Sequence, residues 1–199
     1  MDFYERNSEQ LYKVCLVGDG GVGKSAILRR FLRIEEKFQN EYKPTIGTEI
    51  TVKSLIIDEM EINLQIWDIA GQPHFKFIRS SFYKGSHAII MVFDLTAPST
   101  LYNLTKWKNE VITSVSRPIP FLIVGNKNDL QSTIDSKEIT DFIEKLSHTT
   151  PSYSPSVFFT SALTGHNINE VFEILGRSIL EFFHVKSLPS LQAPRHSQC

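Results

Sequence analysis

Continuously apolar runs alternate along the chain with segments of helical spacing, and this alternation constrains the fold more than any other feature. HAIIMVF (87–93) and IPFLIV (119–124) have the composition of parallel strands that are covered on both faces. The same reading predicts shorter strands at 12–17 and 157–160, and helices at 101–115, 137–146 and 167–183. The order of these segments predicts an α/β protein with a doubly wound sheet.

A hairpin is predicted at one edge of this sheet. TVKSLII (51–57) and INLQIW (62–67) flank the short polar turn DEME, which suggests an antiparallel hairpin. In doubly wound sheets, ligands bind beyond the carboxyl ends of the strands. Polar, Gly-rich or acidic residues follow several of the apolar runs, so we expect the functional site at the carboxyl ends of the strands.

Composition narrows the class of protein. The chain has 199 residues, 41% of them hydrophobic, and a net charge of -1, which fits one domain without a basic face for nucleic acid. Of its two cysteines, Cys15 lies in an apolar strand and is predicted to be a core residue, so no disulfide framework is expected. No stretch reaches the ~18 apolar residues of a membrane span. We expect a soluble, cytoplasmic protein.

A glycine-rich loop carries the strongest functional signal. VGDGGVGKS contains the pattern G-x-x-x-x-G-K-S, from Gly18 to Ser25, between a predicted strand and a predicted helix. Backbone N–H groups there form an anion site at a helix N-terminus, where Lys24 can reach the β- and γ-phosphates and Ser25 can ligate Mg²⁺. The residues predicted to hold the phosphates are Gly20, Gly21, Val22, Gly23, Lys24, Ser25 and Ala26.

Two later clusters indicate which base is bound. FLIVGNKNDL (121–130) brings Asn126, Lys127 and Asp129 to the end of a strand, and a carboxylate at Asp129 can accept both N–H groups of guanine. In TSALTG (160–165), the backbone N–H of Ala162, between Ser161 and Leu163, can donate to guanine O6. Taken alone, the first cluster is also compatible with an ordinary Asn-rich surface turn.

GDGGVGKS, EYKPTIGT, WDIAGQ, NKND and TSA, in this order, resemble the Ras superfamily of small GTPases over residues 11–183. LQIWDIAGQ and SSFYKGSHAIIMVFDLT resemble the Rab branch most. The resemblance implies the P-loop NTPase small-GTPase fold: a six-stranded, mostly parallel sheet with one antiparallel edge strand and about five flanking helices. It also implies a switch that binds GTP/GDP with Mg²⁺, slowly hydrolyses GTP, and regulates membrane traffic or signalling. Residues 1–10 would be an N-terminal extension, 11–183 the GTP-binding domain, and 184–199 a flexible tail.

The resemblance assigns further residues to the nucleotide and the metal. Thr45 would ligate Mg²⁺ and sense the γ-phosphate, Tyr42 would cover the nucleotide, and Phe38 would pack against the guanine. Asp68 would hold Mg²⁺ through water. The predicted metal ligands are thus Ser25, Thr45 and Asp68.

The hydrolytic residues follow the strand that carries this aspartate. Gly71 would let its N–H approach the γ-phosphate, and Gln72 would orient the attacking water. The predicted catalytic residues are therefore Lys24, Thr45, Gly71 and Gln72. No arginine of the chain is assigned to the γ-phosphate, so we expect slow intrinsic turnover, on the order of 10⁻⁴ to 10⁻³ per second.

The chain departs from the family pattern at several positions. Pro73 stands where the family usually has Glu; it either positions Gln72 for or against hydrolysis, or is a tolerated loop proline. An aromatic trio of the Rab branch corresponds to Ile50, Trp67 and Phe82. Because Ile50 is not aromatic, the effector surface is predicted to differ, unless Trp67 and Phe82 only fill the core.

The resemblance also implies protein partners for this chain. An exchange factor, a GTPase-activating protein and effectors are expected to contact residues 41–50 and 68–83, and no nucleic acid is expected. Cys199 is single and lies outside a C-a-a-X box, so peripheral membrane association is only weakly supported.

One alternative function is a scaffold of the same fold that holds GTP with negligible hydrolysis. Another, an ATP-using phosphotransferase, leaves NKND and TSA unexplained.

Overall fold

The computed structural model describes residues 11–34, 45, 47–72, 75–148 and 156–184. Predictions that concern residues 1–10, Phe38, Tyr42, Pro73 and 185–199 lie outside this part of the chain.

The fold is built on one sheet of six strands in the described part of the chain. The strands are β1 (Leu11–Val17), β2 (Thr48–Ile57), β3 (Met60–Ile69), β4 (Ala88–Asp94), β5 (Phe121–Asn126) and β6 (Val157–Thr160). Their order across the sheet is β2-β3-β1-β4-β5-β6. Strand β2 runs antiparallel to β3, and the other neighbouring pairs are parallel. The predicted mostly parallel sheet with one antiparallel edge strand is confirmed.

Helices cover both faces of the sheet. They are α1 (Lys24–Leu32), α2 (Lys76–Tyr83), α3 (Pro98–Tyr102), α4 (Leu104–Ser114), α5 (Ser136–His148) and α6 (Ile168–His184). Only Asn103 separates α3 from α4, and helical hydrogen bonds continue through it, from Asn103 N to Ser99 O and from Trp107 N to Asn103 O. The two therefore form one helical segment, so the described ranges contain five helical segments, the number expected for the fold.

The core lies in two layers, one on each face of the sheet. Helices α1 and α6 pack on one face, where Phe31 and Phe172 stack with ring centroids 3.7 Å apart. Helices α2 to α5 cover the other face, where Cys15 is fully buried, as predicted. Strand β1 lies between β3 and β4, so the later strands are added first on one side of β1 and then on the other. Such a switch point opens a crevice at the carboxyl end of the strand.

The hairpin turn is shorter than predicted. The expected four-residue turn DEME is wrong, because Met60 already pairs with Ile57 and the turn consists of Asp58 and Glu59 alone. Both turn residues have positive φ angles, 48° and 67°, as a two-residue type I′ turn requires. The strand after it also runs further than the predicted range 62–67: it ends at Ile69, because Asp68 and Ile69 still pair with Glu49 and Thr48.

Candidate functional site

The glycine-rich loop joins β1 to α1 at the switch point of the sheet. Gly21 and Gly23 have φ angles of 82° and 99°, a region that residues with a Cβ rarely adopt. A Cβ at Gly23 would also lie 2.2 Å from Nδ2 of Asn126. The loop therefore depends on glycine both for its backbone conformation and for the close approach of its neighbour.

Lys24 is buried beneath this loop. Its Nζ donates hydrogen bonds to the backbone oxygens of Gly18 (2.8 Å) and Asp19 (2.9 Å). Burial lowers the pKa of Lys24 to about 8; the carboxylates of Asp68 and Asp19 raise it, and Arg79 lowers it further. A buried ammonium group beside backbone N–H groups makes the loop suitable for an anion.

Three oxygen-bearing side chains meet next to the loop. Oγ of Ser25 lies 2.8 Å from Oγ1 of Thr45 and donates to Oδ2 of Asp68, and the Thr45 hydroxyl lies 3.5 Å from that same oxygen. Asp68 is fully buried, and within the described residues its Oδ1 has no hydrogen-bond partner. Because a buried carboxylate oxygen is costly to leave unpaired, this donor set fits a hard cation such as Mg²⁺.

Gly71 and Gln72 follow directly after the strand of Asp68. A Cβ at Gly71 would lie 2.4 Å from the backbone oxygen of Gly18 and 2.5 Å from the carbonyl carbon of Asp19. The backbone at Gly71 thus packs against the glycine-rich loop with no room for a side chain. The Gln72 backbone oxygen accepts a hydrogen bond from Nη1 of Arg79 at 2.9 Å.

Asn126, the last residue of β5, connects this loop to the third cluster of predicted residues. Its Nδ2 donates to the backbone oxygen of Val22 at 2.9 Å. Its Oδ1 accepts from Oγ1 of Thr160 and from the backbone N–H of Ala162, both at 3.2 Å. The N–H of Ala162, predicted to meet guanine O6, is thus already bonded to a neighbouring side chain here.

Lys127 and Asp129 project from the turn that follows. Nζ of Lys127 forms an ion pair with Oδ2 of Asp94 at the end of β4, whose other oxygen accepts from the backbone N–H and the hydroxyl of Thr96. Asp129 is exposed, and its Oδ1 accepts from the Ser161 hydroxyl at 2.5 Å. Sequence reasoning missed Asp94, although an acid that ends an apolar strand was the available signal.

Sequence reasoning also missed the partners of Asp19. Oδ1 of Asp19 accepts from Nε1 of Trp107 and Oδ2 accepts from Nδ2 of Asn103, each at 2.7 Å. Trp107 lies within the helix predicted at 101–115, and no role at the site was predicted for it. The available signal was chemical, because a buried indole N–H needs an acceptor.

The predicted residues that the structure describes lie along one edge of the sheet, at the carboxyl ends of the strands. They are Gly20, Gly21, Val22, Gly23, Lys24, Ser25, Ala26, Thr45, Asp68, Gly71, Gln72, Asn126, Lys127, Asp129, Ser161, Ala162 and Leu163. Phe38 and Tyr42 lie outside the described residues.

The positions of the Rab aromatic trio are neighbours in the structure. Ile50 pairs with Trp67 across β2 and β3, and the rings of Trp67 and Phe82 have centroids 6.0 Å apart. Ile50 remains 48% exposed, whereas Trp67 and Phe82 are partly buried against the core. Nζ of Lys13 lies 3.9 Å from the centre of the Trp67 ring and covers it further.

Comparison with known proteins identifies the family of this chain. The Ras family model matches residues 13–181. Ras-related protein Rab-11C of Dictyostelium discoideum is 36% identical over 185 residues, covering 92% of this chain and 77% of that protein. Ras-related protein RABA5c of Arabidopsis thaliana is 36% identical over 190 residues, covering 94% and 84% of the two chains. Ras-related protein Rab-13 of Mesocricetus auratus is 34% identical over 172 residues, covering 86% and 81%.

The fold and the glycine-rich loop at its switch point define a small GTPase of the α/β class. More particularly, the chain belongs to the Ras family and is Rab-like, which confirms the resemblance drawn from the motifs.

Proposed function

We propose that this chain is a molecular switch that binds GTP and GDP with Mg²⁺ and slowly hydrolyses GTP. The observation that carries the proposal is the cluster of Ser25, Thr45 and Asp68 beside the glycine-rich loop (residues 18–25), which we now call the phosphate loop. Oδ1 of the buried Asp68 has no hydrogen-bond partner among the residues that the structure describes. The family supports a GTPase in general, and this cluster supports the metal-dependent chemistry of this chain.

The phosphates of the nucleotide would bind the loop from Gly20 to Ala26. The ammonium group of Lys24, which donates to two backbone oxygens of this loop, would bind the β- and γ-phosphate oxygens. Ser25, Thr45 and Asp68 would hold Mg²⁺, the last of them through water. These residues would thereby place a divalent cation that supplies charge neutralisation at the phosphate oxygens.

Guanine would be selected by Asp129, whose carboxylate accepts two N–H groups that adenine does not present. The Ser161 hydroxyl that donates to Asp129 would fix the orientation of this carboxylate. Asn126 would connect the turn that carries Lys127 and Asp129 to the phosphate loop. The ion pair of Lys127 with Asp94 would hold the aliphatic part of the lysine side chain along the base.

Hydrolysis would depend on Gln72 to orient the attacking water and on the N–H of Gly71 to contact the γ-phosphate. Little covalent chemistry is required of the protein, so the rate is set by positioning and by charge neutralisation. Arg79 is paired with Glu110 rather than placed at the phosphate loop. Intrinsic turnover is therefore expected to be slow, on the order of 10⁻⁴ to 10⁻³ per second, until a partner supplies an arginine.

The Rab-like assignment extends the proposal to regulators and effectors that contact residues 41–50 and 68–83. Three apolar side chains in the described part of these segments support it, because Ile50 is 48%, Phe77 92% and Ile78 45% exposed. Across the described ranges, the helices are all too short or too polar to cross a bilayer. Peripheral membrane association through Cys199 remains a proposal.

Single-turnover hydrolysis of bound GTP, followed over hours with Gln72→Leu as the control, tests the proposal. We expect the wild-type protein to produce GDP at the slow rate given above and Gln72→Leu to be slower still. Equal, negligible rates would instead favour the scaffold that holds GTP without turnover. Excess ATP should leave GTP binding unchanged, and effective competition would contradict guanine selection.

A further inference from the structure

Arg79 is a buried cation beneath the segment that carries Gln72. The residue lies in helix α2 and is 4% exposed. Nε and Nη2 donate to the two carboxylate oxygens of Glu110 at 2.7 and 3.0 Å, and Nη1 donates to the backbone oxygen of Gln72 at 2.9 Å. One planar guanidinium group thus binds helix α4 on one side and the main chain of Gln72 on the other.

The carboxylate that receives Arg79 is itself held in place. Oε1 of Glu110 also accepts from the hydroxyl of Tyr83 at 3.0 Å. Tyr83 is fully buried. Burial, followed by the charge of Glu110, raises the pKa of Tyr83 well above its usual range, so its hydroxyl remains a donor. The position of the guanidinium group is consequently fixed by two elements, α2 and α4.

The same guanidinium group contacts the phosphate loop through one further side chain. Its central carbon lies 4.3 Å from the centre of the Trp107 ring. Nε1 of Trp107 donates to Oδ1 of Asp19 in the loop at 2.7 Å. An unbroken series of contacts therefore runs from the Gln72 backbone through Arg79 and Trp107 to Asp19.

We infer that Arg79 is a positioning residue for Gln72, which fixes the Gln72 backbone relative to the phosphate loop and thereby sets the rate of GTP hydrolysis. The inference rests on the proposed function, because it assumes that Gln72 orients the attacking water. Arg79 itself does not contact the phosphates in this role. A displacement of about 1 Å at such a residue can cost about 100-fold in rate.

Arg79→Lys tests the inference with the least disturbance of folding. A lysine keeps the charge but cannot form the fork to Glu110 and the bond to Gln72 together. We expect single-turnover hydrolysis to fall by about 10- to 100-fold, with the affinity for GTP and GDP within about threefold of wild type. Arg177→Lys is the matched control, because Arg177 is 55% exposed and pairs with Asp58 away from the site; its rate should not change.

A double-mutant cycle separates positioning from a general structural role. If Arg79 acts through Gln72, then Arg79→Lys should have no further effect on the rate in the Gln72→Leu background. An equal loss of rate in both backgrounds would overturn the inference, as would an Arg79→Lys protein that hydrolyses GTP at the wild-type rate.

Hydrogen exchange provides a readout that does not depend on hydrolysis. Amides of residues 69–72 should exchange faster in Arg79→Lys and in Glu110→Gln than in wild type and Arg177→Lys. Unchanged exchange in these variants would overturn the positioning role. A wild-type hydrolysis rate no higher than that of Gln72→Leu would overturn the proposed GTP hydrolysis. Amide hydrogen exchange would still decide whether Arg79 fixes the Gln72 backbone.

Discussion

The side-chain amide of Asn126 donates to the backbone oxygen of Val22 at 2.9 Å, although the two residues are 104 positions apart in the chain. Both are almost fully buried, so the bond is shielded from water. Through it, the end of β5 fixes the position of the glycine-rich loop. The turn after β5 and the glycine-rich loop are thus joined into one structural unit.

Asn126→Asp should weaken GDP binding by about 100-fold, because a carboxylate would face the Val22 oxygen and a buried acceptor would lose its donor. Equilibrium titration with a fluorescent GDP analogue measures this effect. Asn109→Asp adds the same charge on the exposed face of α4 and should bind like wild type. Equal affinities of the two variants would contradict the role of this bond.

Asp94→Asn should weaken GDP binding by about 3- to 10-fold, because Lys127 loses its ionic partner while the hydrogen bonds to Thr96 can persist. GDP dissociation rates provide the measurement. Asp141→Asn is the control: its 3.9 Å pair with Lys137 is exposed and should contribute little. The role assigned to Asp94 would be wrong if both variants released GDP at the wild-type rate.

Asp68→Asn should reduce the affinity for Mg²⁺ by about 10- to 100-fold, as is typical when a carboxylate that holds a metal through water is lost. The measurement is GDP release with Mg²⁺ and with excess EDTA. Chelation should accelerate release in wild type and have much less effect in Asp68→Asn. Asp129→Asn should keep the full response to EDTA and lose preference for GDP over ADP; a full response in Asp68→Asn would argue against the metal site.

The buried thiol of Cys15 should lower the free energy of unfolding of the protein above about pH 9. Burial raises the pKa of its thiol to about 11, with Ser86 and Lys13 acting in the opposite direction. The thiol therefore stays protonated in the folded state, while the unfolded thiol, with its ordinary pKa near 9.0, ionises first. The stabilising contribution is complete below about pH 9 and is lost as the pH rises towards 11.

Comparing wild type with Cys15→Ala isolates this effect, because other groups titrate equally in both proteins. Between about pH 8 and about pH 10.5, the free energy of unfolding of wild type should fall by about 2 kcal/mol more than that of Cys15→Ala. Denaturant titrations at the same GDP concentration provide the values. Parallel pH profiles would show that the thiol is not buried as described.

Much of the fold could be predicted because its signals are local. Strand β6 (Val157–Thr160) and helix α6 (Ile168–His184) agree with their predicted ranges to within one residue, since apolar spacing alone defines them. Helix α2 (Lys76–Tyr83) was not predicted from spacing. It carries no acid in its first turn and no side-chain cap, so the sequence offers few of the usual helix signals.

The network around Arg79 could not be predicted for a different reason. Its contacts join residues that are 31 positions apart for Arg79 and Glu110, and 88 positions apart for Asp19 and Trp107. No local sequence pattern predicts such a pairing, because these residues come into contact only when α4 packs beside the phosphate loop. The roles of the motif residues, by contrast, could be proposed from the sequence, because each motif is a short local pattern of residue types.

The two hydrogen bonds to Asp19 have a consequence for protein engineering. Asn103 and Trp107 are four residues apart on one helical face, and together they occupy both oxygens of a single carboxylate. A chimera that received a phosphate loop without this acid would leave an amide and an indole N–H without their acceptor. Positions 19, 103 and 107 should therefore be exchanged as a set whenever loops or helices are transplanted between related proteins.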